Sequence, residues 1–198
     1  DFVLRRLKKE VMEELPDKIR QDFAVEPSAS GVKSYQTLQS GWLDEYRQHK
    51  QNNTLPAGFV LNMLTSLRHH CGMLKVWPAC EWVAEYHKQT GKPVIVYTHH
   101  RDVLKRVVES LNPEFLRVAV IEGGVSAQKR QSIIEDFQAG NVDVLVANIL
   151  SANMGITLTK ADTVVFVERE WTPAVEEQAE DRVNRIGQDA SVVHAVYL

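Results

Sequence analysis

Hydrophobic and polar positions along the chain follow two different rhythms, and the change comes near residue 91. In the first ninety residues, large apolar side chains recur at helical spacing. Tyr35, Leu38, Trp42, Leu43 and Tyr46 do so across residues 30–51, and Val60, Leu61, Leu64 and Leu67 across 57–71. Trp77, Trp82, Val83 and Tyr86 repeat the pattern across 77–90. Three helices are expected, with Gln-Asn-Asn-Thr-Leu-Pro as a turn between the first two. The aromatic residues here read as core anchors rather than as a platform for stacking bases.

From Pro93 onward, short β-branched runs alternate with amphipathic stretches. Strands are expected at 94–97, 117–121, 144–147, 163–167 and 192–197, and helices at 102–111, 127–138 and 173–184. Ser126 suits an N-cap and Gly140 a helix stop, while Thr172 caps a helix whose first residue is Pro173. Nearly continuous apolar strands separated by helices predict an α/β fold, a parallel sheet with helices on both faces. Ligands of such sheets meet the loops at the carboxyl ends of the strands. Those loops are 98–101, 122–126, 148–159 and 168–172.

Composition narrows this only a little. With 198 residues and 44% hydrophobic content, the chain can bury one good core, or one core and a small satellite. No apolar run approaches the roughly 18 residues of a membrane span, and Asp-Phe-Val-Leu-Arg-Arg does not open like a secretory leader. Cys71 and Cys80 lack the spacing and companions of a zinc site and read as reduced core thiols. The net charge is −3, with 12 basic against 11 acidic residues up to residue 90 and 11 against 15 beyond it. Neither part is a basic domain, so nucleic-acid binding would have to use a local stripe.

One cluster carries possible chemistry. Gln178, Arg182 and Arg185 are spaced i, i+4 and i+7 within the helix expected at 173–184, which would put an amide and two guanidiniums on one face. Phosphoryl transfer spreads negative charge over oxygens that a planar, permanently charged arginine can meet bidentately. Taken alone, the three residues fit a solvated face equally well, with Asp181 and Arg185 as an ordinary i,i+4 pair. His99 and His100 suggest a metal at first sight, but adjacent strand-end side chains point apart and no third ligand is near in sequence.

Further blocks stand around this cluster in a definite order: Phe2-Val3-Leu4-Arg5-Arg6 with Val11, Leu15-Pro16 and Lys18; Leu67-Arg68-His69-His70-Cys71; and Lys92 to Thr98. Gly123-Gly124 with Ser126, Arg130 and Phe137 comes next, then Asn153-Met154-Gly155-Ile156-Thr157-Leu158-Thr159 with Ala161-Asp162, then Trp171-Thr172-Pro173, and last Gln178 to Gln188. The ordered set resembles the C-terminal lobe of the SWI/SNF-type helicase-like ATPases of helicase superfamily two. Before motif five, many members of that family have a basic residue and paired glycines, where this chain has Leu150-Ser151-Ala152-Asn153. That variant, Thr98-His99-His100 and Gln-Ala-Glu-Asp-Arg look most like the annealing-helicase branch.

The resemblance implies a RecA-like lobe over residues 91–198, preceded by an inter-lobe linker and helical protrusion over 1–90. It implies Mg-ATP in a cleft against an N-terminal RecA-like lobe of the same polypeptide, which would hold most of the nucleotide and the magnesium. Nothing in the chain matches the G-x-x-x-x-G-K-[ST] phosphate loop. This lobe would supply Arg182 and Arg185 as catalytic residues, with Gln178, Gly155 and Asp162 on the ATP side. Thr98, His99, Ser126, Arg130, Asn148 and Ser151 would face double-stranded or forked DNA, where short polar side chains suit phosphate contacts. A plain capping role suits Ser126 equally. The implied activity is ATP-driven translocation and remodelling inside the cell, in the nucleus of a eukaryote or the cytoplasm and nucleoid of a bacterium. The rivals are an RNA- or single-strand-directed helicase lobe and a non-catalytic binding scaffold.

Overall fold

The computed structural model of the chain describes residues 12, 15–111, 116–152 and 155–198. Residues 2–11, with most of the opening motif, and Asn153 and Met154 of the motif-five segment lie outside the described residues. The strands are β1 (Asp17–Asp22), β2 (Val94–Thr98), β3 (Val118–Ile121), β4 (Val144–Asn148), β5 (Thr163–Phe166) and β6 (Val192–Tyr197). The helices are α1 (Ala29–Gln51), α2 (Phe59–Thr90), α3 (Arg101–Ser110), α4 (Ala127–Gln138), α5 (Ile149–Ala152) and α6 (Pro173–Glu180). All strand pairs are parallel, in the order β1-β6-β5-β2-β4-β3.

The central strands explain the sheet. β2, β4 and β5 read Val-Ile-Val-Tyr-Thr, Val-Leu-Val-Ala-Asn and Thr-Val-Val-Phe, and every residue in them is buried. Successive side chains alternate between faces. Ile95, Tyr97, Leu145, Ala147, Val164 and Phe166 share one core with Ile133 and Phe137 of α4 and Ala179 of α6. Val94, Val96, Val144, Val146 and Val165 share the other with Val76 and Val83 of α2 and Val103, Leu104 and Val107 of α3. Helices therefore cover both faces, as the apolar strands require. Among the described residues no helix is long and apolar enough to cross a membrane.

Three local expectations are corrected. β1 arises inside the stretch read as linker, because Asp-Lys-Ile-Arg-Gln-Asp has no alternation to announce a strand. It is an edge strand, paired with β6 from Asp17↔Val192 to Asp22↔Tyr197. The helices expected at 57–71 and 77–90 are one helix, α2, running through Pro78. A proline inside a helix costs about 3 kcal/mol, but Val76, Ala79, Cys80 and Val83 around it are anchored in the core, and the helix continues through it. Trp77 is no core anchor: it is 64% exposed.

The N-terminal half of α2 lies against α1, where Phe59 receives Trp42 edge-on at 5.3 Å and His49 at the same distance. Leu61 and Leu64 remain exposed on this hairpin. The C-terminal half of α2 belongs to the sheet's own core.

Candidate functional site

The helix expected to carry Gln178, Arg182 and Arg185 on one face ends before the arginines. Thr172 starts it with Pro173 at its first position, and Glu180 is its last residue. After Asp181 the chain tightens: Arg182 N–H bonds to the Ala179 carbonyl and Val183 N–H to that of Glu180. The Arg182 carbonyl accepts from Leu158 N–H at 2.9 Å, a tertiary partner that takes it out of the helical ladder. The i, i+4, i+7 argument therefore fails as geometry.

The residues still meet. Gln178, Asp181, Arg182 and Arg185 line a cavity of about 520 Å³ together with Thr157, Ile186 and Met12. Arg185 Nη1 donates to Thr157 Oγ1 at 2.9 Å and to the Ile156 and Gly155 carbonyls at 3.2 and 3.5 Å. Gly155 thus joins the cluster through its carbonyl, from a left-handed backbone at φ 60° that favours glycine. Burial pushes the Tyr97 phenol up, and the Arg182 charge partly opposes that rise. Asp181 accepts from Lys18 at 2.9 Å, so the Asp181–Arg185 pairing considered from sequence is not the contact formed.

Asp162 is elsewhere. It immediately precedes β5, at the amino edge of the sheet, and does not line this cavity. Its carboxylate accepts from Lys92 Nζ and from the hydroxyls of Tyr86 and Thr163. Burial would raise its pKa, but these partners outweigh burial and lower it. Its surroundings give it a structural role, joining α2 to the sheet.

At the carboxyl edge, parallel register sets Thr98 beside Asn148. Thr98 is 1% exposed, so this arrangement of the loops offers its hydroxyl to no external ligand. Asn148 is used at both ends, donating to the His99 carbonyl at 2.6 Å and accepting from Leu150 N–H at 3.2 Å. His99 Nδ1 lies 2.6 Å from Glu170 Oε1. Asn148 and His99 are thus engaged within the edge, while the buried Thr98 hydroxyl has no hydrogen-bond partner among the described residues. Ser151 is half-buried near Gly123, whose carbonyl accepts from Arg101 at 3.1 Å. Ser126 is the cap of α4, accepting from Lys129 N–H at 3.2 Å, and Arg130 reaches the Val125 carbonyl at 3.5 Å.

Sequence reasoning missed two groups. Glu168 accepts from His99 N–H, His100 N–H and the His100 ring at 2.8, 2.9 and 2.6 Å. Glu170 lies beside Arg68, whose guanidinium sits 5.2 Å from the ring centroid of Trp171, itself 59% exposed. The signal was Glu-Arg-Glu-Trp directly after an apolar strand. The second group is Glu180 with Lys18, Arg20 and Tyr197. Its signal was an acidic pair placed just before Arg182.

The family model for the helicase conserved C-terminal domain matches residues 76–187. The SWI/SNF-related matrix-associated actin-dependent regulator of chromatin subfamily A-like protein 1 of Xenopus tropicalis is 33% identical over 192 residues, 96% of this chain and 20% of its own length. The human DNA annealing helicase and endonuclease ZRANB3 is 30% identical over 193 residues, 97% of this chain and 18% of its length. The chain thus spans about a fifth of these relatives. The Sulfolobus solfataricus SWI2/SNF2 ATPase core in complex with dsDNA superposes with a TM-score of 0.75 at 24% identity, over 100% of this chain and 44% of that one. The separate C-terminal domain of a Sulfolobus solfataricus SWI2/SNF2 ATPase gives 0.70 at 20% identity, over 92% and 80%. These two likenesses concern the fold, which is RecA-like. With the matched family model covering more than half of its length, the chain belongs to the helicase conserved C-terminal domain family.

Proposed function

We propose that this chain is the second motor lobe of an ATP-driven, double-stranded-DNA-directed translocase, and that it supplies Arg182 and Arg185 to ATP held mainly by a partner lobe. The observation that carries this is the cavity in which Gln178, Arg182, Arg185 and Thr157 converge although they share no helix. Two guanidiniums and an amide on one concave surface fit the oxygens of a triphosphate. They do not fit magnesium, because Asp181 is engaged with Lys18. The metal would be held by the partner lobe, where it would neutralise charge on the transferred phosphoryl group. Arg185 is the better finger candidate, since its present partners are neutral oxygens that a phosphate would replace with charge-assisted bonds.

The lobe proper comprises the second half of α2, residues 91–198 and β1 at its edge, and α1 with the first half of α2 forms the protrusion, a lever against DNA or a partner. On the DNA side, Ser126, Arg130, Ser151 and the N–H groups opening α4 are the phosphate contacts, while Thr98, His99 and Asn148 shape the edge beneath them. Such contacts hold register without reading sequence. Relatives in the annealing-helicase branch make forked DNA a second substrate to compare, inside the cell wherever its DNA is kept.

The test is steady-state ATP hydrolysis by the complete protein with duplex, forked and single-stranded DNA, wild type against Arg182→Ala and Arg185→Ala. Duplex or forked DNA should stimulate turnover, and both substitutions should abolish most of it. Equal turnover in all three proteins would end the motor reading, and stimulation by RNA or single strands alone would redirect it.

A further inference from the structure

β1 has one apolar residue among six, yet it is attached to the segment that carries the arginines at several points. Lys18 Nζ donates to Glu180 Oε2 at 2.8 Å and to Asp181 Oδ1 at 2.9 Å. Arg20 grips Glu180 with both prongs, Nε to Oε1 and Nη2 to Oε2, each at 2.8 Å. Tyr197 of β6 adds its hydroxyl to the same carboxylate. Beyond Arg182, Asn184 Nδ2 donates to the Pro16 carbonyl at 3.0 Å. Residues 16–20 therefore hold the chain immediately before Arg182 and again between Arg182 and Arg185. Met12, from the same N-terminal segment, lines the arginine cavity itself.

Glu180 is an expensive choice for this place. It is 0% exposed, and an apolar side chain would close the end of α6 against β6 without desolvating a carboxylate. Replacing a buried ion pair with well-packed apolar residues is often neutral or stabilising, so its contribution to stability alone does not explain it. What this one fixes is the direction in which the turn after α6 leaves the helix, and hence where both guanidiniums stand.

We propose that β1 is a positioning element for the arginine pair: Lys18 and Arg20, acting through Glu180 and Asp181, and the Pro16 carbonyl, acting through Asn184, set the placement of Arg182 and Arg185. A pull on the segment entering β1 is transmitted to the two guanidiniums along these bonds. The inference rests on the reading of those arginines as catalytic. Lys18, Arg20 and Asn184 touch no substrate in this scheme; they are positioning residues, and a displacement on the order of 1 Å at such a site can cost about 10²-fold in rate.

The experiment uses the complete protein with saturating duplex DNA. Lys18→Met and Asn184→Ala should each lower kcat by roughly 10- to 100-fold, while KM for ATP and duplex affinity stay within about twofold. Lys18→Arg should restore most of the rate. In an Arg185→Ala background, Lys18→Met should lower kcat by a smaller factor than in the wild type, because only Arg182 then remains to be misplaced. Thermal melting accompanies every variant, and if Lys18→Met fails to fold, Asn184→Ala decides. Wild-type rates in folded Lys18→Met and Asn184→Ala would overturn the inference while leaving the arginines catalytic. Equal fold losses with and without Arg185 would also overturn it, since the effect would then bypass that arginine. Normal turnover in both Arg182→Ala and Arg185→Ala would instead overturn the functional reading on which it rests.

Discussion

Arg185 and Thr157 are joined by a 2.9 Å hydrogen bond from the guanidinium to the hydroxyl, which ties the turn after α6 to the loop before β5. Used as a finger, Arg185 would exchange this neutral acceptor for a phosphate oxygen, with most of the gain at the transition state. Arg185→Ala in the complete protein should then lower kcat by roughly 10³-fold, with a much smaller change in nucleotide affinity. Arg185→Lys should also fail, because an ammonium lacks the planar fork. Thr157→Val should keep kcat within a few-fold. If Arg185 is only a strut for that loop, Arg185→Ala will cost about 1 kcal/mol of stability and leave turnover alone. Kinetics and a nucleotide titration on the same samples separate the two.

The chain by itself should hydrolyse no ATP above background. Its cavity supplies cations and an amide but no lysine-led phosphate loop, and only one edge of a nucleotide would be held. Phosphate release measured with and without duplex DNA checks this. DNA-stimulated turnover by these 198 residues would refute the two-lobe arrangement.

Duplex binding by the complete protein should be steeply salt-dependent and nearly blind to sequence, because the proposed contacts are to phosphates. Affinities for unrelated duplexes across a salt series should fall in parallel. Arg130→Ala should weaken all of them about equally and flatten the salt slope by about one contact. Selective loss on a single sequence would contradict phosphate-only contact.

Gly72 and Gly41 should respond in opposite directions to alanine. A Cβ at Gly72 would stand 2.7 Å from Glu168 Oε1, and that buried carboxylate is pinned by His99 and His100. Overpacking of this kind costs about 1–3 kcal/mol, against roughly 1 kcal/mol gained in helix propensity. Gly72→Ala should therefore lower Tm. At Gly41, exposed in the middle of α1, nothing lies within 4 Å of the added Cβ. Gly41→Ala should raise Tm, or leave it unchanged if α1 melts separately. A higher Tm for Gly72→Ala would mean that the Glu168 contacts yield easily.

Glu180 should contribute to stability in a defined pH window. Burial alone would raise its pKa, but hydrogen bonds from Arg20, Lys18 and Tyr197 outweigh burial and hold it down to about 2, against an ordinary 4.5. A carboxyl whose folded value lies below its unfolded value stabilises fully above the unfolded value and loses that contribution as pH falls through the folded one. The loss should run from about pH 4.5 down to about 2. Asp143 and Asp162 are also lowered and add to the same acid limb. Melting curves of Glu180→Gln against wild type isolate the difference: the variant should be less stable at neutral pH and decline less steeply in acid. Parallel curves would mean that the carboxylate adds no net stability.

Much of the fold was legible in the residues. Val-Ile-Val-Tyr-Thr, Val-Leu-Val-Ala-Asn and Val-Val-His-Ala-Val-Tyr can be little other than strands, and their near-continuous apolarity already demands cover on both faces. α4 lies at 127–138 as its cap and stop residues predict, because Ser126 and Gly140 act locally. Lys18, Arg182 and Arg185 were visible as members of ordered motifs, although what each touches was not.

Local chemistry therefore determined where helical and strand segments lie, the parallel class of the sheet and the residue types offered to phosphate, though not the extents of α2 and α6. Tertiary structure alone decided the rest. β1 became a strand because β6 offered an edge and Glu180 needed cations, neither of which can be read from Asp-Lys-Ile-Arg-Gln-Asp. α6 stopped at Glu180 because Leu158 N–H captured the Arg182 carbonyl from another part of the chain. Asp162 was drawn to Lys92 and Tyr86, away from the arginines. The physical reason is common to all three. Hydrogen bonds and ion pairs between groups far apart in sequence compete with local propensity, and a periodicity records only the local side of that competition.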